Sequence, residues 1–284
     1  MCYNPDVDNL LNLCHKLQDN NNSIFLIDNT EECYIKGFPA RVSCTLISLG
    51  RNTGIALAQN VGIKEAIKRG AEVIVFFDQD SKIEDDFLSF LLASVTARSP
   101  QVYAPVYFDQ AKGYEFPSMK LNRFGILTKV YKGNKVKPYD ADVVISSGMA
   151  ITKEAFDIVG LMDEDFFIDY VDTEWCLRCR SKNIPIKIIP DAIMKHSIGE
   201  SSKNLGFIRI FTHSPVRSYY LIRNSFHFLK KKHVPLLLGL KEFSSLIVHQ
   251  IILLLFLKNR GVYLKEYYRA INDGFRGIVG QRPV

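Results

Sequence analysis

The sequence EVIVFFDQDS at residues 72–81 joins a strongly apolar run to an acidic turn. Its β-branched and aromatic residues predict a buried strand, and DQD predicts a turn where that strand ends. On both sides of it, short apolar runs alternate with segments whose apolar residues recur at helical spacing. Strands are predicted at residues 23–28, 45–49, 102–108 and 142–147, and helices at 7–17, 56–68 and 84–97. This alternation predicts an α/β fold with a mostly parallel sheet flanked by helices and ligand sites beyond the carboxyl ends of the strands.

Length and composition limit the class of protein. Of the 284 residues, 47% are hydrophobic and 23% are charged, so a packed core is expected and wholesale disorder is excluded. Residues 200–284 carry 14 Lys and Arg against four Asp and Glu, whereas the preceding part is net negative. A basic C-terminal third predicts an acidic partner, either anionic lipid or nucleic acid. Six scattered cysteines without an export signal predict reduced thiols in a cytoplasmic protein.

The C-terminal third is predicted to be helical only. We expect a boundary near Gly206 that separates an α/β body, residues 1–206, from a helical extension, residues 207–284. Residues 234–257 are mostly apolar but are interrupted by polar side chains, so they are expected to lie in a membrane interface instead of spanning it. Packing against the body and a homodimer contact are the alternatives. Basic residues flank this stripe without interleaved stacking aromatics, so nucleic acid is not expected as a partner.

Asp78 and Asp80 form the first candidate site. Residues two apart in an extended segment point the same way, and paired carboxylates suit a hard divalent cation that also binds a diphosphate. The alternative is a solvated turn in which Asp80 or Ser81 caps the next helix. His196 follows a later extended stretch. A lone histidine is usually structural, but beside a metal and diphosphate it is a candidate ligand.

The second candidate site is RNTGIALAQNVG at residues 51–62, where Asn52, Gly54 and Asn60 accompany the start of a helix. Small side chains let a ligand approach the backbone closely, and helix N-termini favour anions, so the segment is a candidate anion-binding site. Tight packing of this helix on the sheet is an equal alternative.

The third candidate site lies in GLMDEDFFIDYVDTEWCLRCRSKN at residues 160–183, which is dense in acidic side chains. Asp172 is predicted to begin a helix, with Glu174 in its first turn. A carboxylate at such a junction is a candidate general base, and a simple helix cap is the alternative. Cys176 and Cys179 fall inside the helix without a second ligand pair, which favours packing over zinc binding.

In their order along the chain, these strings resemble glycosyltransferase family 2, the inverting enzymes of the Rossmann-like GT-A fold. The matching strings are YNP, a DN after a strand, N-x-G-x-A-x-A-x-N-x-G, Asp-x-Asp, SSGMAI, an acidic motif before a helix that ends in Leu-Arg, and His-x-x-Gly. DQDS, FFIDYVDTEWCLR and RSYYLIRN look most like the bacterial rhamnosyltransferases of O-antigen and other surface polysaccharide synthesis. The resemblance extends from Tyr3 to about Gly280.

The resemblance implies roles for the candidate residues. Asp28 would hold the nucleobase or ribose, and Asp78 would lie near the donor sugar and ribose. Asp80, joined by His196, would bind Mg²⁺ or Mn²⁺ at the diphosphate. Asp172 would take the proton from the acceptor hydroxyl. The remaining expected site residues are Asn52, Gly54 and Asn60 for the donor, and Asp169, Glu174, Trp175 and Arg223 for the acceptor or in support.

Two features depart from the family pattern. Val171 stands where the family usually has a Glu, and Asp169 is a candidate source of the missing negative charge. Only two residues precede Tyr3, where the family normally has a whole strand. We expect either a truncated or misassigned start, or a protein that lacks a central strand beside its nucleotide site.

The resemblance implies an inverting, metal-dependent glycosyltransferase. The expected donor is dTDP-L-rhamnose and the expected acceptor a polyprenyl-diphosphate-linked saccharide, at the inner face of the cytoplasmic membrane. A UDP-galactofuranose or UDP-hexose donor is one alternative. A catalytically inactive nucleotide-sugar binding module is another, because of Val171 and the short N-terminus.

Overall fold

The computed structural model describes residues 1–18, 22–33, 35–96, 98–109, 113–195, 202–204, 209–211, 213–256 and 259–283. Within these ranges the helices are α1 Val7–Leu17, α2 Ile55–Lys68, α3 Phe87–Leu92, α4 Lys153–Val159, α5 Val171–Ser181, α6 Pro215–Lys230, α7 Leu236–Phe256 and α8 Arg260–Arg276. The strands are β1 Phe25–Asp28, β2 Thr45–Ser48, β3 Val73–Val75, β4 Lys82–Ile83, β5 Val102–Asp109, β6 Tyr114–Phe116, β7 Ser118–Leu121, β8 Leu127–Val130, β9 Tyr139–Ala141, β10 Ala150–Thr152, β11 Ile186–Lys195, β12 Ser202–Asn204 and β13 Arg209–Phe211.

A central sheet runs in the order β3-β10-β5-β11-β4, with β6 beside β5 and β9 beside β11. β5 and β11 are parallel, whereas β10 is antiparallel to both β3 and β5. β1 and β2 form a separate parallel pair. The α/β class is confirmed, but the sheet is mixed, which corrects the expectation of a mostly parallel one. Alternation of strands and helices does not reveal that β10 enters the sheet directly from the turn at residues 146–149, without a crossover helix.

The central strands are covered on both faces. Along β5, Val102, Ala104 and Val106 belong to one apolar cluster, which includes residues of α4 and α5. Tyr103 and Tyr107 belong to a second cluster with residues of α3. Because successive side chains of a strand point to opposite faces, a strand buried on both faces is continuously apolar, as VYAPVYF is.

Two predicted elements are wrong. Residues 142–147 are not a strand: Val143 and Val144 are buried in the core, and the ladders lie on either side of them, in β9 and β10. Their apolar character reflects burial in a turn segment, which periodicity cannot distinguish from a buried strand. The helix predicted at 84–97 is only the six residues of α3.

A cavity of about 560 Å³ separates β1 from β3. It is lined by Leu26 and Ile27 on one side and by Ile74 and Val75 on the other. Among the described residues, the edge of β1 that faces the cavity is paired only through an isolated parallel bridge between Cys2 and Asp28. The two-stranded and central sheets are therefore divided at this gap.

The C-terminal helices pack on the α/β body. Phe228 of α6, Val234 of the α6–α7 connection and Leu238 of α7 belong to the same buried cluster as the sheet residue Ile188. Within the described part of the chain, α7 is the one helix long and apolar enough to cross a membrane by length and composition. By length and composition, the polar residues of this 21-residue helix therefore do not exclude a span, which corrects the expectation that they do.

Candidate active site

Asp172 lies in the first turn of α5, half-buried. Its Oδ1 accepts a hydrogen bond from its neighbour Thr173 N (2.8 Å), and its Oδ2 accepts one from Ser146 N (3.3 Å). Burial raises the pKa of Asp172 to about 6; the two N–H bonds oppose the rise, and the negative charges of Asp78 and Asp169 add to it. A carboxylate with a pKa near neutrality is suited to exchange protons at physiological pH.

A turn at residues 146–148 links Asp172 to the acidic turn after β3. Ser147 Oγ accepts a hydrogen bond from Asp78 N (3.2 Å) and lies 2.8 Å from Ser81 Oγ. Gly148 N donates to Phe76 O (2.6 Å). The two halves of the site, separated by about a hundred residues in sequence, thus meet across one short turn.

Asp28 ends β1 and is fully buried. Its Oδ1 accepts a hydrogen bond from Thr30 N (3.2 Å), whereas its Oδ2 has no conventional donor within the described residues. Burial, and then a contact with Asp28, raise the pKa of the nearby Cys33 thiol, so this weak donor stays protonated. A buried carboxylate oxygen without a full donor is suited to bind an N–H or O–H of a ligand.

The loop before α2 is held from within the protein. Asn29 Oδ1 accepts from Thr53 N (2.7 Å), and Asn52 Oδ1 accepts from Gly54 N (3.1 Å). Gly54 has a φ of +86°, and a Cβ there would lie 2.6 Å from the Phe167 ring and carbonyl. Ile55 is the first residue of α2, so its N–H has no carbonyl partner within the helix. It donates instead to Phe167 O (2.6 Å). These contacts correspond to the packing alternative for this segment.

The candidate metal ligands are only partly described. Asp80 is exposed, in the turn between β3 and β4. His196 lies outside the described residues; Lys195 before it pairs with Lys82, two residues after Asp80. Among the residues that the structure describes, which leave out His196, no group of three or more His, Cys, Asp or Glu has the arrangement of a metal site.

Several expected site residues make contacts within the protein. Asn60 Nδ2 donates to Met162 O (2.9 Å) and Glu164 Oε1 (2.8 Å). Glu174 is buried at ion-pair distance from Arg178 Nε (2.7 Å) and His233 Nε2 (2.9 Å). Trp175 and Arg223 are fully buried; the indole N–H donates to Gly160 O (2.8 Å), and Arg223 Nη2 donates to Gly280 O (2.9 Å).

The loop that precedes Asp172 contains Asp169 and leads directly into Val171. The Val171 side chain is buried in the main apolar cluster. Asp169 forms an ion pair with Arg217 (Oδ1 to Nη2, 2.9 Å), so a cation of α6 compensates its charge locally. Asp169 still contributes to the raised pKa of Asp172.

Sequence reasoning missed four residues that build this site: Asn29, Ser146, Ser147 and Asn224. The amide of Asn29 orders the loop at 52–54, and the serines join Asp78 to Asp172. Asn224 donates hydrogen bonds to carbonyl oxygens of the loop before Asp172. These residues lie in the strings DN, SSG and RN of the motifs quoted above. Only the tertiary contacts show which groups these side chains bind.

Comparisons with known proteins identify the family. The model of glycosyl transferase family 2 matches residues 2–160. The dTDP-rhamnosyl transferase RfbF of Shigella flexneri is 42% identical over 279 residues, which cover 98% of this chain and 94% of that protein.

Two solved structures share the fold. GalNAc-T7 with UDP, GalNAc and Mn²⁺ aligns over 87% of this chain and 53% of its own, with a TM-score of 0.58 and 14% identity. TarS of S. aureus aligns over 98% of this chain and 48% of its own, with a TM-score of 0.53 and 14% identity. The chain thus spans about half the length of these two proteins, and at this identity the likeness concerns the fold alone.

The family match, the Shigella relative and the shared fold together define a glycosyltransferase of the GT-A fold. Within that class, the chain belongs to glycosyl transferase family 2.

Proposed function

We propose that this enzyme transfers a sugar from a nucleotide-sugar donor to a hydroxyl of a lipid-linked saccharide, with inversion at the anomeric carbon, in surface polysaccharide or O-antigen synthesis. The proposed donor is dTDP-L-rhamnose, because the Shigella relative, 42% identical over nearly the whole chain, is named a dTDP-rhamnosyl transferase. The observation that carries the proposal is the Asp172 carboxylate, whose pKa is raised to about 6 beside Asp78.

The donor half of the proposal rests on Asp28 and Asp78. The buried Asp28 Oδ2 offers an acceptor to an N–H of the base or an O–H of the ribose. Asp78 lies across the 146–148 turn from Asp172, where a donor sugar would face the base. Asn52 and Gly54 shape the loop beside Asp28 and act in support of the donor site.

Asp172 acts as the general base in the proposed reaction. It accepts the proton of the acceptor hydroxyl while that oxygen attacks the anomeric carbon. The bond from this carbon to the donor diphosphate breaks, and its electron pair leaves with the diphosphate. Attack and departure on opposite faces invert the anomeric centre. The N–H groups of Ser146 and Thr173 hold the carboxylate in a fixed orientation during the transfer.

Mg²⁺ or Mn²⁺ is the proposed cofactor, held by Asp80 with His196. An exposed carboxylate in the turn after β3 fits the preference of these ions for oxygen ligands. The bound ion would offset negative charge on the leaving diphosphate. Calorimetry tests this assignment: Asp80→Ala should remove the Mn²⁺-dependent gain in dTDP affinity. If Asp80→Ala keeps the Mn²⁺-dependent gain in dTDP affinity, residues other than Asp80 hold the metal.

A release assay tests the reaction. The purified protein is given dTDP-L-rhamnose, UDP-galactofuranose or UDP-hexoses, with a saccharide-lipid acceptor, with and without Mn²⁺. We expect dTDP release and acceptor glycosylation with dTDP-L-rhamnose, and a loss of about 10²–10⁴-fold in Asp172→Asn with donor affinity retained. Turnover with a UDP donor alone would replace the proposed donor, and nucleotide binding without any turnover would favour the inactive binding module.

We also propose that the C-terminal helices dock on the anionic inner face of the cytoplasmic membrane, where the lipid-linked acceptor lies. One face of α7 exposes apolar side chains at helical spacing on both sides of the exposed Ser244: Leu237, Leu240, Val248, Ile251 and Leu255. α8 exposes a second apolar stripe: Leu264, Tyr268, Ile271 and Phe275. Lys232, Lys241 and Lys265 are exposed at or near these stripes. Apolar area with basic neighbours suits an anionic interface.

Docking in the interface plane agrees with the contacts of α7 better than spanning. The opposite face of α7 packs on the protein: Leu238 joins the main core, Phe243 contacts Phe226 of α6, and Gln250 accepts a hydrogen bond from Tyr267 of α8. A spanning helix would have to leave these partners. Residues 1–206 would thus carry the chemistry and residues 207–284 the membrane contact.

Liposome flotation tests the docking. Binding of the protein to vesicles should require anionic lipid and weaken with salt. It should also fall in the triple variant Lys232→Gln/Lys241→Gln/Lys265→Gln and in the single variant Ile251→Asn. Lys231 is left intact because it pairs with Asp163. Val136→Asn, which replaces an apolar residue 80% exposed elsewhere, is the control. No binding to either lipid, with a dimer by light scattering that Ile251→Asn disrupts, would instead assign the stripes to a homodimer.

A further inference from the structure

The loop Phe166–Tyr170, immediately before Asp172, has an unusual backbone. Phe167, Asp169 and Tyr170 all have positive φ, at +62°, +60° and +63°. Residues with a Cβ rarely adopt this region, and three within four positions persist only where the surroundings impose them. The loop is continuous with the catalytic helix, because Glu174 N donates to Tyr170 O (2.8 Å) in the first turn of α5.

Asn224 of α6 binds the backbone of this loop. Its side chain is fully buried, and its Nδ2 donates to Phe166 O (2.8 Å) and Ile168 O (2.6 Å). Arg223 Nε donates to Asn224 Oδ1 (2.8 Å), which fixes the direction of the amide. Arg223 Nη2 also reaches Gly280 O (2.9 Å). The C-terminal segment is thereby connected through two adjacent side chains to the loop.

The other side of the loop faces the donor region. Phe167 O accepts from Ile55 N at the start of α2, and the Phe167 ring fits against Gly54, where a Cβ has no room. The ring of Tyr220, also on α6, stacks on Phe167 with 4.8 Å between centroids and 9° between planes. A displacement of this loop would therefore move the start of α5 relative to the start of α2.

We propose that Asn224 is a positioning residue for the transfer reaction, which acts through the loop Phe166–Tyr170 to place the Asp172 carboxylate. The inference rests on the proposed function for its catalytic readout. Its structural part, that Asn224 holds the loop and the first turn of α5, stands independently of which sugar is transferred.

Asn224→Asp tests the proposal because it keeps the size of the side chain and the acceptor for Arg223, but removes both N–H donors to the loop. Ser225→Ala is the matched control: its neighbouring, equally buried hydroxyl donates to Ile222 O (2.6 Å) within α6 and has no contact with the loop. Tyr267→Phe, which removes a buried hydrogen bond to Gln250, controls for general loss of stability.

In Asn224→Asp we expect kcat to fall about 10–100-fold while the KM for the donor changes less than threefold. Amide exchange in residues 166–175 should become at least tenfold faster. Both controls should keep the wild-type kcat and exchange in this segment. Wild-type kcat in Asn224→Asp would overturn the proposal, as would an equal loss of kcat in Tyr267→Phe at the same loss of Tm.

The two proposals fail in different ways. If the wild type transfers no sugar from any donor, the proposed function fails, and hydrogen exchange still decides whether Asn224 holds the loop. If the wild type transfers sugar and Asn224→Asp does so equally well, the proposed function stands and the positioning role is wrong. Unchanged exchange at 166–175 in Asn224→Asp would also overturn it.

Discussion

At the residue scale, the Asp172 carboxylate determines the expected pH dependence. Its pKa is raised to about 6, chiefly by burial, with Asp78 and Asp169 adding negative charge nearby. A general base works only when deprotonated, so kcat/KM should be level above pH 7 and fall about tenfold per pH unit below about 6. A rate profile of the purified enzyme between pH 5 and 8.5 measures this. A profile that stays level to pH 5 contradicts the assignment.

The same carboxylate lowers stability at neutral pH. Its folded-state pKa lies above its ordinary value of 3.8, so the native state binds more protons and stability falls as the pH rises between about 4 and 6. For this half-buried group the loss is about 1–2 kcal/mol, after a discount for solvent screening. Asp172→Asn should therefore raise the free energy of unfolding at pH 8 and leave it nearly unchanged at pH 4. Urea unfolding at the two pH values checks this.

Gly54 is constrained both by its positive φ and by a close neighbour, whereas Gly70 is constrained by its positive φ alone. Gly54 and Gly70 have nearly equal φ values, +86° and +88°, but only at Gly54 would a Cβ meet another group, the Phe167 ring and carbonyl at 2.6 Å. Gly70→Ala should cost about 1 kcal/mol, from backbone strain alone. Gly54→Ala should cost about 3 kcal/mol and also reduce turnover, because the loop before Asp172 must move. Equal losses of stability in the two variants would show that the loop around Phe167 moves aside at little cost in free energy.

At the element scale, β1 and β3 each form a ladder with one strand, β2 and β10, and their other edges face the cavity between them. Cys2 N donates to Ile27 O and Asn29 N to Cys2 O (both 2.8 Å), which is parallel pairing at the mouth of the cavity. The N-terminal amine reaches Phe77 O (3.4 Å) on the other side. A chain that continued upstream from Met1 in this direction would meet both strand edges.

Fusing a short strand ahead of Met1 tests the gap. Five or six β-branched, apolar residues should pair with β1 and β3, fill the apolar cavity, and raise Tm by about 5 °C. A Gly/Ser segment of the same length is the control and should leave Tm unchanged, since it buries no apolar surface. If both fusions behave alike, the gap does not accept a strand.

At the scale of the whole molecule, the C-terminal helices are part of the folding unit. Phe228 of α6 is 1% exposed, in the cluster that also contains Trp175 and Ile188. The proposed boundary at residue 206 therefore separates a catalytic part from a membrane-contacting part, but it does not separate two folding units. Because the two parts share one core, we expect them to unfold together.

Phe228→Ala should destabilise the entire protein by about 3–5 kcal/mol in a single unfolding transition. Phe124→Ala, at a phenylalanine 58% exposed, should cost less than about 1 kcal/mol. Chemical denaturation followed by circular dichroism and by the fluorescence of Trp175 would measure both. Two separate transitions, or a chain of residues 1–206 with the full Tm, would contradict a shared core.

Local sequence determined much of this protein. The apolar run at 72–77 and its acidic turn, the helix that begins beside Asp172, and the alternation of strands with helices follow from side-chain periodicity and turn chemistry, which act over a few residues. The ordered motifs were sufficient for the family, and the mid-helix Cys176 and Cys179 are both buried, as a packing role requires.

Only the tertiary structure decided how these pieces meet. No local pattern distinguishes the buried turn at 142–147 from a strand, shows that β10 runs antiparallel, or tells that Gly54 makes room for Phe167. Likewise, Asn224 reaches the loop before Asp172 across more than fifty residues, and the pKa of Asp172 depends on Asp78 nearly a hundred residues away. Packing, charge interactions and side-chain hydrogen bonds between distant segments depend on distances in space, which the spacing of residues along the chain does not contain.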